Sequence, residues 1–167
     1  ISDLLEGVEA AVANAAHLGA SKGDKLGLAA ETNMASSKDA SSEEEGLAQA
    51  YATFAVTTTG GGVIPSCLID ALQANVSFDT AGQITTDLAS VPKTQLGDDY
   101  GMVAASSIGK EWYEQAAGFC QYVTGKSADD VAGLAVNGEG KAADADLAAA
   151  VTLSLGDFQA VVEKAAK

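Results

Sequence analysis

The feature that most constrains the fold is a long stretch of β-forming residues around three consecutive glycines. Residues 47–58 are rich in Tyr, Thr, Val and Phe, and residues 63–72 continue the pattern after Gly60-Gly61-Gly62. β-Branched and aromatic side chains fit the half-buried surface of a sheet, and glycine supplies the positive φ that a tight turn needs. The segment therefore predicts an antiparallel hairpin, with Pro65 marking an edge strand or a bulge.

Weaker signals extend this sheet and surround it with helices. Periods of two predict further strands, and apolar residues at spacings of three and four predict amphipathic helices. The additional strands are expected at residues 26–34, 76–78 and 83–86, and the helices at residues 2–17, 108–124 and 157–166, with a short helix capped by Ser127. We therefore expect an α+β fold, in which one antiparallel sheet packs with helices and both termini carry amphipathic helices.

Composition excludes several classes of partner. The chain has 167 residues, 47% of them hydrophobic, and nine Lys without Arg face 23 Asp plus Glu, which gives a net charge of −14. Such a surface repels phosphate backbones and anionic lipid headgroups, so we expect no nucleic acid as a partner. No apolar run approaches the roughly 20 residues of a membrane helix, so no membrane insertion is expected. A single histidine, His17, excludes a multi-histidine metal site.

Sequence patterns that resemble catalytic motifs are incomplete. Ser107 precedes Lys110 by the SxxK spacing, but no accompanying SDN or KTG segment is present. We expect Ser107 to cap the helix that follows it, and His17 to lie at the surface. The chain is therefore predicted not to be an enzyme.

The two cysteines leave two interpretations open. Cys67 and Cys120 lie far apart in the chain, without the spacing of a zinc or CxxC redox site. They are either buried thiols or one disulfide of an exported protein. The start at Ile1, with no Met and no signal peptide, predicts a processed chain or an excised domain.

The first and last helices share a sequence pattern. GDFQAVVEKA at residues 156–165 aligns without a gap with SDLLEGVEAA at residues 2–11. The match suggests that the chain begins in the last helix of a preceding repeat, or that this helix fills a groove of a neighbouring subunit. We accordingly divide the chain into an N-terminal helix with its connector, 1–22, and an α+β domain, 23–167. The predicted assembly interface consists of Leu4, Leu5, Val8 and Val12.

A motif near the C-terminus resembles that of a known family. In DLAAAVT, Asp146 precedes Thr152 by six positions, and a helix follows. This is similar to the flavinylation motif Dxx(S/T)GA(T/S) of the FMN-binding domain family, whose threonine carries FMN through a phosphoester. Segments such as GDKLGL, LGDDYGM and IGKEW resemble secreted tandem-repeat proteins of anaerobic Firmicutes. The resemblance implies FMN on Thr152, with Asp146 as the motif acid, and an extracellular or cell-surface location.

The motif departs from the family where the phosphate would lie. The family's Ser-Gly-Ala is Ala149-Ala150-Val151 here, and added side chains obstruct close approach of a phosphate. We therefore expect no cofactor, and a non-enzymatic extracellular module that assembles with copies of itself or neighbouring repeats into an array or fibre through its terminal helix. The alternative is an extracellular flavoprotein that carries FMN for electron transfer. A ligand-binding module is a third hypothesis, for which the sequence identifies no pocket.

Overall fold

The computed structural model describes residues 1–167, apart from the side chain of Asp3. Strands β1 (Lys25–Asn33), β2 (Gly46–Gly60) and β3 (Val63–Phe78) form one antiparallel sheet in that order. The described residues also form six α-helices and two 3₁₀ turns. The helices are α1 (Ser2–Ala13), α2 (Lys93–Leu96), α3 (Trp112–Val123), α4 (Ala128–Ala132), α5 (Ala145–Ala150) and α6 (Gly156–Ala166), and the turns are Gly97–Tyr100 and Val103–Ala105. The fold is the predicted α+β arrangement.

The β2–β3 hairpin forms where the three glycines predict it. Gly61 and Gly62 both adopt positive φ, at 60° and 85°, which side chains rarely tolerate. Of the other two strands, β3 pairs with β2 alone and lies at an edge of the sheet, in agreement with the presence of Pro65. It continues without a break to Phe78, because residues 73–75 pair with β2 along its first half. The strand predicted at residues 83–86 is reduced to a single bridge between Phe78 and Ile84.

Helices cover one face of the sheet. α6 packs on β1 and β2, and α3 packs on β3. Between α3 and α6, Phe158 contacts Trp112 and Phe119 edge to face, with ring centroids 5.7 and 5.4 Å apart. α6 approaches β1 so closely that a Cβ on Gly27 would collide with the carbonyl oxygen of Ala165. The core therefore lies between the sheet and these two helices.

Two helices begin or end differently from the sequence prediction. α3 starts at Trp112 rather than at residue 108, and Glu111, not Ser107, is its N-cap residue. The Glu111 carboxylate accepts hydrogen bonds from the N–H groups of Met102 and Val103 and caps the helix, so it ties the preceding loop to the helix start. α1 ends at Ala13, earlier than predicted, with Asn14 as its C-cap residue.

Candidate functional site

The apolar side of α1 is uncovered in the structure. Leu4, Leu5, Val8 and Val12, which we call the α1 face, are 71%, 58%, 54% and 72% exposed. Among the described residues, α1 makes no extensive contact with any other helix or strand. An amphipathic helix normally buries its apolar stripe, so the α1 face is available to a partner.

α6 shows how a helix of this pattern packs on the sheet. In the alignment of the two terminal helices, Phe158 and Val162 of α6 correspond to Leu4 and Val8 of α1. Both α6 side chains are buried in the core, on the helix that covers β1 and β2. The positions that α6 buries are therefore the positions that α1 leaves exposed.

A second uncovered apolar surface lies on the sheet, opposite α3 and α6. Leu28, Val56 and Leu68 are paired directly across the three strands, and all three are exposed. Leu26 and Phe54 extend this row and are exposed as well. We call these five residues the bare sheet face. Contiguous exposed apolar residues of this kind mark interaction surfaces.

Asp146 and Thr152, the two residues of the flavinylation-like motif, lie in different environments in the structure. Asp146 is exposed in the first turn of α5, while Asp144 caps that helix. The backbone N–H of Leu147, which hydrogen-bonds to Asp144, lowers the pKa of the Asp144 carboxyl. Thr152 follows α5, and both its N–H and its Oγ1 donate to Oε1 of the fully buried Gln115, at 2.8 and 3.2 Å. Thr152 thus secures the end of α5 to α3.

The residues around Thr152 do not fit a covalently bound flavin phosphate. Val151 is buried, and Ala150 packs against Gly118 of α3, where an added Cβ would lie 3.2 Å from the Ala150 methyl group. The adjacent cavity is lined by Leu153 and Ser154 but not by Thr152. No backbone cradle of the kind that the family's glycine provides is left at this position.

The structure brings the two cysteines together. Cys67 on β3 and Cys120 on α3 are buried free thiols that line one cavity of about 570 Å³. A hydrogen bond with Cys120, together with burial, raises the pKa of the Cys67 thiol. A disulfide between them remains a prediction.

A buried lysine that sequence reasoning missed lies at the start of α2. The Lys93 ammonium donates to the hydroxyl of Tyr100 at 2.7 Å and to that of Tyr51 at 3.4 Å. It also lies 4.6, 4.5 and 5.3 Å from the ring centroids of Tyr51, Tyr100 and Trp112. No sequence signal identified this cluster, because its rings come from β2, a 3₁₀ turn and α3.

Lys93 forms part of the wall of a cavity of about 270 Å³. This cavity lies where the end of β1 and the loop after it meet the segment that leads into α6. Its other lining residues are Asn33, Ser36, Gln49, Tyr51, Tyr100, Trp112, Leu153, Ser154, Asp157 and Phe158. The cavity combines aromatic walls with several polar side chains, as small-molecule sites commonly do.

Comparison with protein-family models, with curated proteins and with solved structures finds no match to this chain. Within the described part of the chain, no group of three or more His, Cys, Asp or Glu side chains could hold a metal ion. None of the helices described is long and apolar enough to cross a membrane. The geometry of α1, the sheet and the two cavities is therefore the basis for interpreting function.

Proposed function

We propose that this chain is a structural module that assembles head to tail by placing the α1 face of one copy on the bare sheet face of the next. The observation that carries this proposal is the presence of two uncovered apolar surfaces, a helix face and a sheet face, in one chain. The resemblance to secreted tandem-repeat proteins supports an extracellular or cell-surface location for the assembly.

The packing of α6 supports the choice of occupant. α6, which carries apolar residues at the positions of Leu4 and Val8, already covers the other face of the same sheet. With a rise of 1.5 Å per residue, the 12 residues of α1 extend about 18 Å, enough to cross three strands spaced about 4.8 Å apart. Docking of α1 would therefore complete a helix–sheet–helix sandwich.

The energetics favour a weak contact that repetition strengthens. Full burial of one Leu or Val side chain stabilises by about 1.5–3 kcal/mol, whereas association costs about 4–15 kcal/mol. The four side chains of the α1 face and their partners on the sheet are sufficient for association at high local concentration. Because the two surfaces differ, the contact is head to tail, and its repetition extends an open chain unless the rotation between copies closes it into a ring.

The experiment uses two variants, each of which disables one of the two surfaces. A donor variant carries Leu4→Gln, Val8→Gln and Val12→Gln, and an acceptor variant carries Leu28→Thr and Leu68→Thr. In sedimentation velocity over a concentration series, the unaltered chain is expected to form growing oligomers, and each variant to stay monomeric. An equimolar mixture of the two variants retains one functional contact, so it is expected to form heterodimers that do not grow.

The control is Glu6→Gln, on the side of α1 opposite the apolar face, which should leave assembly unchanged. A mixture that stays monomeric although the unaltered chain assembles would contradict the proposed pairing of surfaces. An unaltered chain that is monomeric at every concentration, with the α1 face protected, would show instead that α1 packs on its own sheet.

No feature around Thr152 favours the alternative flavoprotein function, because the Thr152 hydroxyl is engaged in a hydrogen bond with Gln115.

A further inference from the structure

Lys93 is a buried cation with no anionic partner among the described residues. Its side chain is 5% exposed, and none of the ion pairs in the structure involves it. Removing a charge from water is costly unless an opposite charge or good hydrogen bonds replace the water. The faces of three aromatic rings offset only part of this cost. The site therefore retains an attraction for an anion.

The hydrogen bonds of Lys93 leave room for one more acceptor. An ammonium group has three donors, and two of them are directed to the hydroxyls of Tyr100 and Tyr51. The longer of these bonds, 3.4 Å to Tyr51, is weak. Because Lys93 and Tyr100 both line the cavity of about 270 Å³, an acceptor entering it can reach this group.

The charges of the cavity select a singly charged ligand. Lys93 supplies one positive charge, and exposed Asp157 supplies the carboxylate in the lining. A doubly charged phosphate would exceed the positive charge present, whereas a carboxylate matches the charge of Lys93. Trp112 and Phe158 add flat apolar surface, and the volume lies just below the usual range for ligand sites, which indicates a small molecule.

We propose that this cavity binds a small monocarboxylate with a flat apolar body. The carboxylate accepts hydrogen bonds from Lys93 and from the Tyr100 hydroxyl, and the body packs against Trp112 and Phe158. None of the lining residues belongs to the α1 face or to the bare sheet face. The binding site is thus independent of the proposed assembly, and each can fail without the other.

Benzoate is a suitable probe, and benzamide is its neutral counterpart of the same shape. Trp112 is the only tryptophan of the chain, so its indole N–H signal in a proton–nitrogen NMR spectrum reports on this site alone. We expect benzoate to shift that signal saturably and benzamide to bind at least about tenfold more weakly, since a charged hydrogen bond is lost.

Two variants test the charges separately. Lys93→Met keeps most of the length of the side chain and is expected to weaken benzoate binding at least about tenfold, without strengthening benzamide binding. Asp157→Asn removes the opposing carboxylate from an exposed position and is expected to tighten benzoate binding severalfold. If Lys93→Met fails to fold, Tyr100→Phe keeps the ring, removes the hydroxyl, and should weaken benzoate binding.

Three outcomes would overturn the proposal. The first is the absence of any saturable shift of Trp112 with benzoate. The second is equal binding of benzoate and benzamide, because the cation would then play no part in recognition. The third is tighter binding of inorganic phosphate than of benzoate at the same position, which would assign the cavity to a different class of anion.

Discussion

At the residue scale, buried polar side chains join parts of the chain that are distant in sequence. Gln115 accepts two hydrogen bonds from Thr152, while its amide nitrogen donates to Ser106 and to the carbonyl of Lys110. Each of these bonds fixes a loop end on α3. A buried amide without hydrogen-bond partners would cost about 1–3 kcal/mol. The hydrogen bonds between Gln115 and these loop ends therefore stabilise the fold.

The cysteine pair leads to a prediction at the same scale. Exchange with glutathione disulfide should join the Sγ atoms of Cys67 and Cys120 and release two molecules of glutathione as thiols. We expect the intact mass to fall by two hydrogens and the melting temperature to rise, because a cross-link over a loop of this length stabilises by about 2–4 kcal/mol. Intact mass, peptide mapping and calorimetry are the measurements.

The raised pKa of Cys67 determines how this reaction depends on pH. The thiolate is the attacking species, so exchange should be slow near neutral pH and faster in mild denaturant. In the reduced protein, the folded state favours the neutral Cys67 thiol. This contribution to the free energy of unfolding is fully present at a pH below the ordinary thiol pKa of about 8.5, and it is lost as the pH rises above that value. A Cys67→Ala control should not cross-link, and glutathione trapped on Cys120 of the unaltered protein would contradict the pairing.

At the scale of elements, α6 and β1 pack against each other without room for a side chain at Gly27. Gly27→Ala places a methyl group against the backbone carbonyl of Ala165, and α6 must move away from the strand. We expect a loss of about 1–3 kcal/mol of unfolding free energy, as is typical of overpacking. Urea unfolding followed by the fluorescence of Trp112 measures it.

The matched control for this prediction is Gly7→Ala in α1. An added Cβ at Gly7 meets no atom within 4 Å, so no loss of stability is expected there. Equal destabilisation by both substitutions would show that the α6–β1 contact is not the cause.

α1 leads to a second prediction at this scale. A chain lacking residues 1–14 retains Leu18, which lines the cysteine cavity, and Gly19, which lies close to Pro65 on β3. Since α1 has no extensive contact with the rest of the described chain, we expect an unchanged melting temperature together with loss of assembly. A large drop in melting temperature would indicate that α1 contributes to the fold of its own domain.

At the scale of the whole molecule, the proposed structural function and the flavoprotein alternative predict different masses. The denaturing intact mass of protein from its native source should equal that of the bare chain, because the Thr152 hydroxyl is already hydrogen-bonded and no glycine cradle adjoins it. A mass increased by one flavin mononucleotide, and its loss in Thr152→Ala, would favour the alternative function. If the protein carries no flavin, the substitution Thr152→Ala removes only the hydrogen bond from Thr152 Oγ1 to Gln115.

Much of the fold follows from short-range patterns. The β2–β3 hairpin, its glycine turn, the capping of α4 by Ser127 and the terminal helices were predictable, because periodicity and turn chemistry act over a few neighbouring residues. The α1 face could be identified for the same reason, since its residues recur at helical spacing.

Other features depend on which segments meet in space, and only the tertiary structure decided them. β3 continues past residue 72 because β2 offers partners along its whole length, and α3 begins at Trp112 because Glu111 captures the N–H groups of a preceding turn. The enclosure of Lys93, the contact of the two thiols and the bare sheet face likewise arise from residues distant in sequence. Hydrogen bonds and burial stabilise such contacts only after the chain has folded and brought the distant residues together. For this reason, no local sequence pattern predicts them.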